Sequence, residues 1–501
     1  MNNPHNLLSS APQANPTFPQ EIFDQIVDAL GDIESQNFIE EIRDDGISES
    51  EVLVSYQDTS GLLACSLVSR SFSDRARQHL FQRVEMITLD SERDVDAWLE
   101  TFHELLGWRP RRIPDGDQLC GIRPYIKEFA ASDTNGSEAS MEVVTQDFLA
   151  EVLWALNDGV YGLEELDLGI ELKWATLTHG LQHAIMALIQ SKQLKILKLY
   201  GFIDLPSTIF LNSAFKHLRA IECFTNLALN SAVDPALLDS IHTYPALESL
   251  ETDFSLTATH FASCTDNGRP DAVPSSSPLK GLRRLSIWLI DDRVFRSEDA
   301  ALLLSSAAHT LQRLELRYYP VPRVGLPIFQ PPLHSFSQLR CLQLYHCEGV
   351  SRKGPLVFPQ PFITLLLSES TIFPQSLERL EIFLAHPYIY SDMEDIITPF
   401  DNIGEAEIIK MVDRKLSYLL LQSNVQALTL RIRLHPSVLT YVVGDVDGFV
   451  TDGCTKLKAL FSATSEENIL CLNIEFSEDF DYYYSRNLEV FVPEEHPMAD
   501  L

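Results

Sequence analysis

Little in this chain is arranged for covalent chemistry. A nucleophile needs a base within hydrogen-bond reach, a phosphate cradle needs closely spaced glycines, and a helical zinc site needs two histidines one turn apart. The sequence holds no GxSxG, no P-loop, no GxGxxG and no HExxH. His346 stands beside Cys347, but neighbours in an extended segment point to opposite faces and make a poor nucleophile–base pair. The acidic pairs Asp44-Asp45 and Asp291-Asp292 lack calcium-loop spacing. Glu478, Asp479 and Asp481 precede tyrosines 482–484 and read as a solvated end rather than a metal site. The eight cysteines, at 65, 120, 223, 264, 341, 347, 454 and 471, include no CxxC pair, and a structural zinc tetrahedron usually takes such short spacings. They read as buried free thiols of a reducing compartment. No catalytic residue, metal or cofactor is expected, which leaves the chemistry of binding.

Charge narrows the partners. Lys and Arg total 38 against 71 Asp and Glu, for a formal charge of −33. Such a chain is repelled by nucleic-acid phosphate and by anionic lipid, so neither a nucleic acid nor a membrane is an expected partner. One stretch departs from this: residues 62–87 carry Arg70, Arg75, Arg77, His79 and Arg83. It is either a solvated helix face or a docking surface for an acidic partner.

A second candidate surface comes from a recurring pattern: apolar, two free positions, apolar, one free position, apolar. It appears as LEELDL (163–168), LKILKL (194–199), LRAIEC (218–223), LRRLSI (282–287), LQRLEL (311–316), LRCLQL (339–344), LERLEI (377–382) and VQALTL (425–430). Weaker copies are VEMITL (84–89), IKEFAA (126–131), LESLET (247–252) and ILCLNI (469–474), and starts lie 24 to 48 residues apart. Recurrence at this spacing marks a solenoid, whose units each leave an apolar face for their neighbours to cover. In each short strand the apolar positions face the core and the intervening ones face the concave side. Those positions are acidic early (Glu165, Asp167, Glu222, Glu251, Asp253) and basic later (Arg284, Arg313, Arg317, Arg379, Arg431), with Glu315 and Glu381 among them. Just after the pattern stand Tyr200, Phe224, Trp288, Tyr345 and Phe383. Tyr, Trp and Arg often dominate interfaces, so Tyr200, Phe224, Trp288, Arg317, Tyr345, Arg379 and Phe383 are candidate target-binding residues. The alternative is that these aromatics simply pack on neighbouring strands.

These surfaces need elements to carry them. The 501 residues are 45% hydrophobic and 22% charged, a globular composition. Residues 1–16 are polar with three prolines and read as a disordered lead-in without the features of a secretory signal. No apolar run reaches the roughly 18 residues of a transmembrane helix. Thr17 can cap a helix whose face is Ile22, Ile26, Val27 and Leu30, with Pro19 and Glu21 in its first turn and Gly31 as its stop. Residues 31–60 are acidic and mixed; Leu63, Leu67 and Val68, then Phe72, Ala76, Leu80 and Phe81, form further helical stripes. Between the copies lie helical segments at 141–157, 178–190, 235–244, 297–310 and 404–422, and Pro/Ser/Gly-rich loops at 108–124, 263–278, 318–332 and 351–361.

Residues 18–30 and 62–84 together resemble an F-box. FPQEI matches the opening of that module at Phe18, Pro19, Glu21 and Ile22, and LLACSLVSRSF matches its later stretch at Leu62, Leu63, Leu67, Val68, Arg70 and Phe72. The phrasing is similar to fungal F-box proteins, and the array behind it resembles the leucine-rich repeats such proteins often carry. Phe72 stands where the family usually has Trp, and residues 31–60 separate helices that are normally joined by a short link.

The resemblance implies an α/β chain: a small helical F-box at 17–85 with an insertion at 31–60, then a right-handed leucine-rich-repeat solenoid at 86–490 and an acidic tail at 491–501. Parallel strands would line its concave face and helices its convex face. It implies a cytoplasmic or nuclear substrate-recognition subunit of a Skp–cullin–F-box type ubiquitin ligase, with no enzymatic chemistry of its own. Phe18, Pro19, Ile22, Ile26, Leu62, Leu63, Leu67, Val68 and Phe72 would bind the Skp-type adaptor, and through it cullin, while the repeats bind a target protein. The alternative is a repeat scaffold outside any ligase, whose degenerate F-box only caps the array.

Overall fold

The computed structural model describes residues 25, 27–29, 60–68, 70–88, 102–106, 121–133, 143–157, 162–169, 173–210, 213–221, 223, 246–253, 278–289, 303–318, 331–347, 359–369, 371–386, 406–434, 446–466 and 470–476. The chain divides into two compact units, Met1–Leu168 with Thr178–Leu188, and Gly169–Leu177 with Ile189–Leu501. The expected helix face at Ile22 and Ile26, residues 31–59 of the insertion and the helix at 235–244 lie outside the described residues.

In the first unit, α1 (Ser60–Val68) and α2 (Arg70–Phe81) pack together. Their seam is a small core of Val27, Leu62 and Ala76, flanked by Cys65, Phe72 and Leu80. A polar clamp closes it: Arg75 donates from Nε and Nη2 to the two Asp28 oxygens at 2.6 and 2.8 Å, and the His79 ring lies 2.9 Å from the same carboxylate. The Arg75 hydrogen bonds pull the Asp28 carboxyl from its ordinary 3.8 down to about 2. A depressed carboxyl contributes stability that is present above its unfolded value and lost as pH falls through the folded one. The helical pair is therefore expected to loosen between pH 3.8 and about 2, read by proteolysis or thermal melting. Asp28→Asn should abolish that pH dependence and cost no more than about 1 kcal/mol at neutral pH, because the pair is partly solvated.

The chain then enters β1 (Arg83–Thr88), which pairs in parallel with β2 (Glu128–Asp133). Tyr125, just before β2, donates its hydroxyl to Asp74 of α2 at 3.1 Å, tying the helical pair to the first strands. Helix α3 (Val143–Leu156) buries Leu149, Val152, Leu153 and Leu156 and leads to β3 (Glu165–Gly169). Helix α4 (His179–Ile189) follows, capped by Thr178, whose hydroxyl accepts the Leu181 N–H.

The second unit continues with β4 (Ile196–Tyr200), β5 (His217–Ile221), β6 (Ser249–Thr252), β7 (Arg284–Leu289), β8 (Arg313–Tyr318) and β9 (Cys341–Cys347). Then come α5 (Gln360–Leu367), β10 (Arg379–His386), α6 (Ala406–Gln422), β11 (Ala427–Leu434), α7 (Val446–Leu460), α8 (Ser462–Glu466) and β12 (Leu470–Phe476). The architecture is α/β. The described strands form a twelve-stranded all-parallel sheet in chain order, not closed into a barrel. Parallel neighbours require a crossover between every pair. Several crossovers contain 3₁₀ turns, at Ser207–Phe210, Pro278–Gly281 and Leu333–Ser335. Gly201, with φ of 77°, turns the chain off the end of β4.

The apolar pattern forms the core. Leu197 and Leu199, Leu285 and Ile287, Leu314 and Leu316, Leu342 and Leu344, Leu380 and Ile382, and Leu428 and Leu430 are all buried. Three copies take a different frame from the one expected. Leu218 pairs with Leu197 and Leu250, so the fifth copy is Phe215–Leu218–Ala220 and not 218–223. Val84 pairs with Phe129, which shifts the first copy to Phe81–Val84–Met86. Leu472 pairs with Leu430, so 469–474 is also out of frame. In each case extra apolar residues beside the true set offered a second match, and the pairing with neighbouring strands decides between them.

Candidate interaction surfaces

The helical pair of the first unit keeps part of its apolar surface outside. Leu63 is 51% exposed and Leu67 is 87% exposed, whereas Leu62 is only 2% exposed and holds the seam. Phe72 is half-buried against that same seam. Of the expected adaptor-binding residues, Leu63 and Leu67 thus present surface, and Leu62 and Phe72 build the support beneath them. Phe18, Pro19, Ile22, Ile26 and the Val68 side chain lie outside the described residues.

In the second unit the register sorts the polar sheet face into rows. The first holds Arg284, Arg313, Cys341 and Arg379; the second holds Lys198, Arg219, Glu251, Ser286, Glu315, Gln343 and Glu381. The third holds Trp288, Arg317, Tyr345, Phe383 and Arg431, with Tyr200 beside Ile221 at the same level on β4 and β5. Ile221 therefore takes the place expected for Phe224, and Arg219 the place expected for Glu222. Both changes follow from the frame of β5; Phe224 and Glu222 themselves lie outside the described residues.

The third row is a packed ladder. Trp288, 1% exposed, and Tyr345, 8% exposed, cluster with Ile221 and Ala385, and Tyr200 and Phe383 pack against them. The Arg219 and Arg317 guanidinium carbons lie 5.2 and 5.0 Å from the Trp288 ring centroid, and Arg317 is also 5.3 Å from Tyr345. Tyr345 stacks on Phe383 at 4.7 Å, and Arg433 covers Phe383 at 5.0 Å. The Trp288 indole N–H donates to Glu251 at 2.6 Å. Glu251 also lies 3.7 Å from Arg219 and 3.9 Å from Arg317, so it belongs to a mixed network rather than to an acidic end. Trp288 and Tyr345 hold the face together and offer a partner little area; Arg379, with its side chain 62% exposed, offers much more.

The second row is hydrogen-bonded throughout its later part. Arg317 donates to Glu315 at 2.8 Å. Arg313 donates twice to the Gln343 oxygen, and Gln343 passes its amide N–H to Glu381. Arg379 approaches Glu381 at 3.6 Å. Burial, and then the Glu381 carboxylate, push the Cys341 thiol up, so it stays protonated.

Charge changes along the strands. In the first unit β1–β3 carry one basic residue, Arg83, against Glu85, Glu128, Asp133, Glu165 and Asp167. In the second unit β7–β11 carry six arginines against two glutamates and no lysine or aspartate.

Four contributors escape the sequence pattern: Arg219, Ile221, Gln343 and Arg433. Their alternation with buried leucines was the available signal, but only strand register brings them beside the aromatics. On α4, His179 and His183 sit one turn apart with ring centroids 3.8 Å from each other. Among the described residues no three His, Cys, Asp or Glu side chains group to hold a metal, and no helix is long and apolar enough to cross a membrane. No protein-family model matches this chain, and no curated protein matches it.

Proposed function

We propose that the chain is the substrate-recognition subunit of a Skp–cullin–F-box type ubiquitin ligase, working in the cytoplasm or nucleus. Residues 17–85 are the F-box that docks on a Skp-type adaptor and through it on cullin. The remainder is a leucine-rich-repeat solenoid that presents a target protein. The observation that carries this reading is the pair Leu63 and Leu67, left exposed on α1 above an otherwise closed small core. Two neighbouring leucines in water are a cost that a partner groove removes. The in-register leucines of parallel strands in chain order support the solenoid.

The test is capture of a purified Skp-type adaptor by the full chain. Leu63→Asp with Leu67→Asp should weaken capture about a hundredfold or more, since each buried leucine is worth roughly 1.5–3 kcal/mol. The melting temperature should hold, because both side chains are exposed. Pro19→Ala with Ile22→Ala tests the sequence-matched opening of the motif. A wild-type chain that ignores the adaptor, or an Asp variant that binds it as well as wild type, overturns the proposal.

A further inference from the structure

We propose that the polar face of β7–β11 binds an extended, Asp/Glu-rich segment of a partner protein. The inference deepens the target-binding reading of the repeats and is independent of the adaptor. It starts from charge. The chain as a whole is −33, yet these five strands carry Arg284, Arg313, Arg317, Arg379, Arg431 and Arg433 against Glu315 and Glu381 only. All eight alternate with buried leucines and isoleucines, so all lie on one face. This is a cationic island on an acidic molecule, which steers an acidic segment to one place and turns it away from the rest.

The choice of cation is informative. Every basic residue here is arginine, whose planar fork pairs bidentately with carboxylates. Both glutamates are already engaged, Glu315 by Arg317 and Glu381 by Gln343 and Arg379. Among the described residues Arg284 and Arg431 form no ion pair, and both are exposed. Arg313 spends two N–H groups on Gln343 and keeps others.

Geometry favours an extended occupant. Arg284 and Arg313 are register partners on adjacent strands, and Arg379 lies two strands further in the same row. At about 4.8 Å per strand the row spans about 14 Å, the reach of four or five extended residues. The stacked Tyr345–Phe383 floor is apolar and fixed, and Arg317 is already held by Glu315, Glu251 and two rings. Pre-organised donors over a low-dielectric floor bind an anion at less entropic cost than mobile surface cations.

The experiment is fluorescence anisotropy of the full chain with a fluorescein-labelled peptide of mixed Asp and Glu. Saturable binding should weaken at least about tenfold when salt rises from about 50 to about 300 mM. Arg313→Glu with Arg379→Glu should weaken it about tenfold or more, and the milder Arg313→Gln with Arg379→Gln should act in the same direction. Arg414→Glu, on α6 and off this face, should leave binding unchanged. Adaptor capture should be normal in all these variants; loss there would count against the ligase reading and not against this one. Absence of saturable binding, or equal loss in Arg414→Glu, overturns the proposal. So does a phosphoserine peptide or a single-stranded oligonucleotide binding where the Asp/Glu peptide does not.

Discussion

Trp288→Ala is expected to destabilise the second unit by about 3–5 kcal/mol, the range for emptying a buried Trp site. The side chain is 1% exposed and belongs to a buried cluster with Ile221, Tyr345 and Ala385 that runs across β5 to β10. Its loss would also leave Arg219 and Arg317 without the ring they cover, worth roughly 0.5–2 kcal/mol for each cation. Glu251 would lose the indole donor but keep both arginines. Trp288→Phe separates these effects: the ring survives, the N–H does not, and the expected cost is about 1–2 kcal/mol. Urea unfolding measures both. Hydrogen exchange should localise the damage to β5–β10, since in this unit each strand pairs only with its sequence neighbours. A cost below about 1 kcal/mol for the alanine variant would mean that the surrounding arginines collapse into the space, and that the ladder is surface decoration.

What the sequence makes legible follows from periodicity. The expected helical segments 141–157, 178–190 and 404–422 contain the helices Val143–Leu156, His179–Ile189 and Ala406–Gln422, because their apolar residues recur every three or four positions with nothing to compete. The parallel strands are equally plain where a single set of leucines alternates with charge, as in Leu311–Leu314–Leu316. The β5 segment shows the limit. It presents Phe215, Leu218, Ala220, Ile221 and Cys223, all buried, so two frames satisfy the same pattern. Only the ladder with β4 and β6 selects one of them, and with it Arg219 and Ile221 in place of Glu222 and Phe224. The networks are still less visible, because Arg313, Gln343 and Glu381 lie about thirty or more residues apart and meet only through register. The 3₁₀ turns at 207–210, 278–281 and 333–335 are too short to show a helical period at all.

Asp413 is the clearest case of a residue whose role periodicity conceals, and its removal should cost about 3 kcal/mol or more. It sits in α6 among Lys410, Arg414 and Lys415, where an acid reads as solvated surface, yet it is 2% exposed and shares a side with Ile409, Val412 and Leu416. Its carboxylate accepts the Ala463 N–H at 2.7 Å, the Thr464 N–H at 3.1 Å and the Thr464 hydroxyl at 2.8 Å. Those N–H groups open α8, whose first turn has no partners of its own, so α6 supplies the cap from fifty residues away. Asp413→Ala leaves two N–H groups facing a void, each worth about 1–3 kcal/mol, while the Thr464 hydroxyl keeps the Phe461 carbonyl as its acceptor at 3.3 Å. Asp413→Asn keeps one acceptor oxygen but adds donors where donors already point, and should recover only part of the loss. Thr464→Val removes one of the three bonds with its polar atom and should cost about 1 kcal/mol. The double variant Asp413→Ala with Thr464→Val should then be less destabilised than the sum of the singles, because each single already loses the bond between the two side chains. Additive effects would place the carboxylate's contribution elsewhere. The same cap joins α6 to α8, and α7 packs on α6, α8 and β12. Proteolytic nicking of Asp413→Ala should therefore begin after residue 445, while β7–β10 keep their wild-type exchange rates.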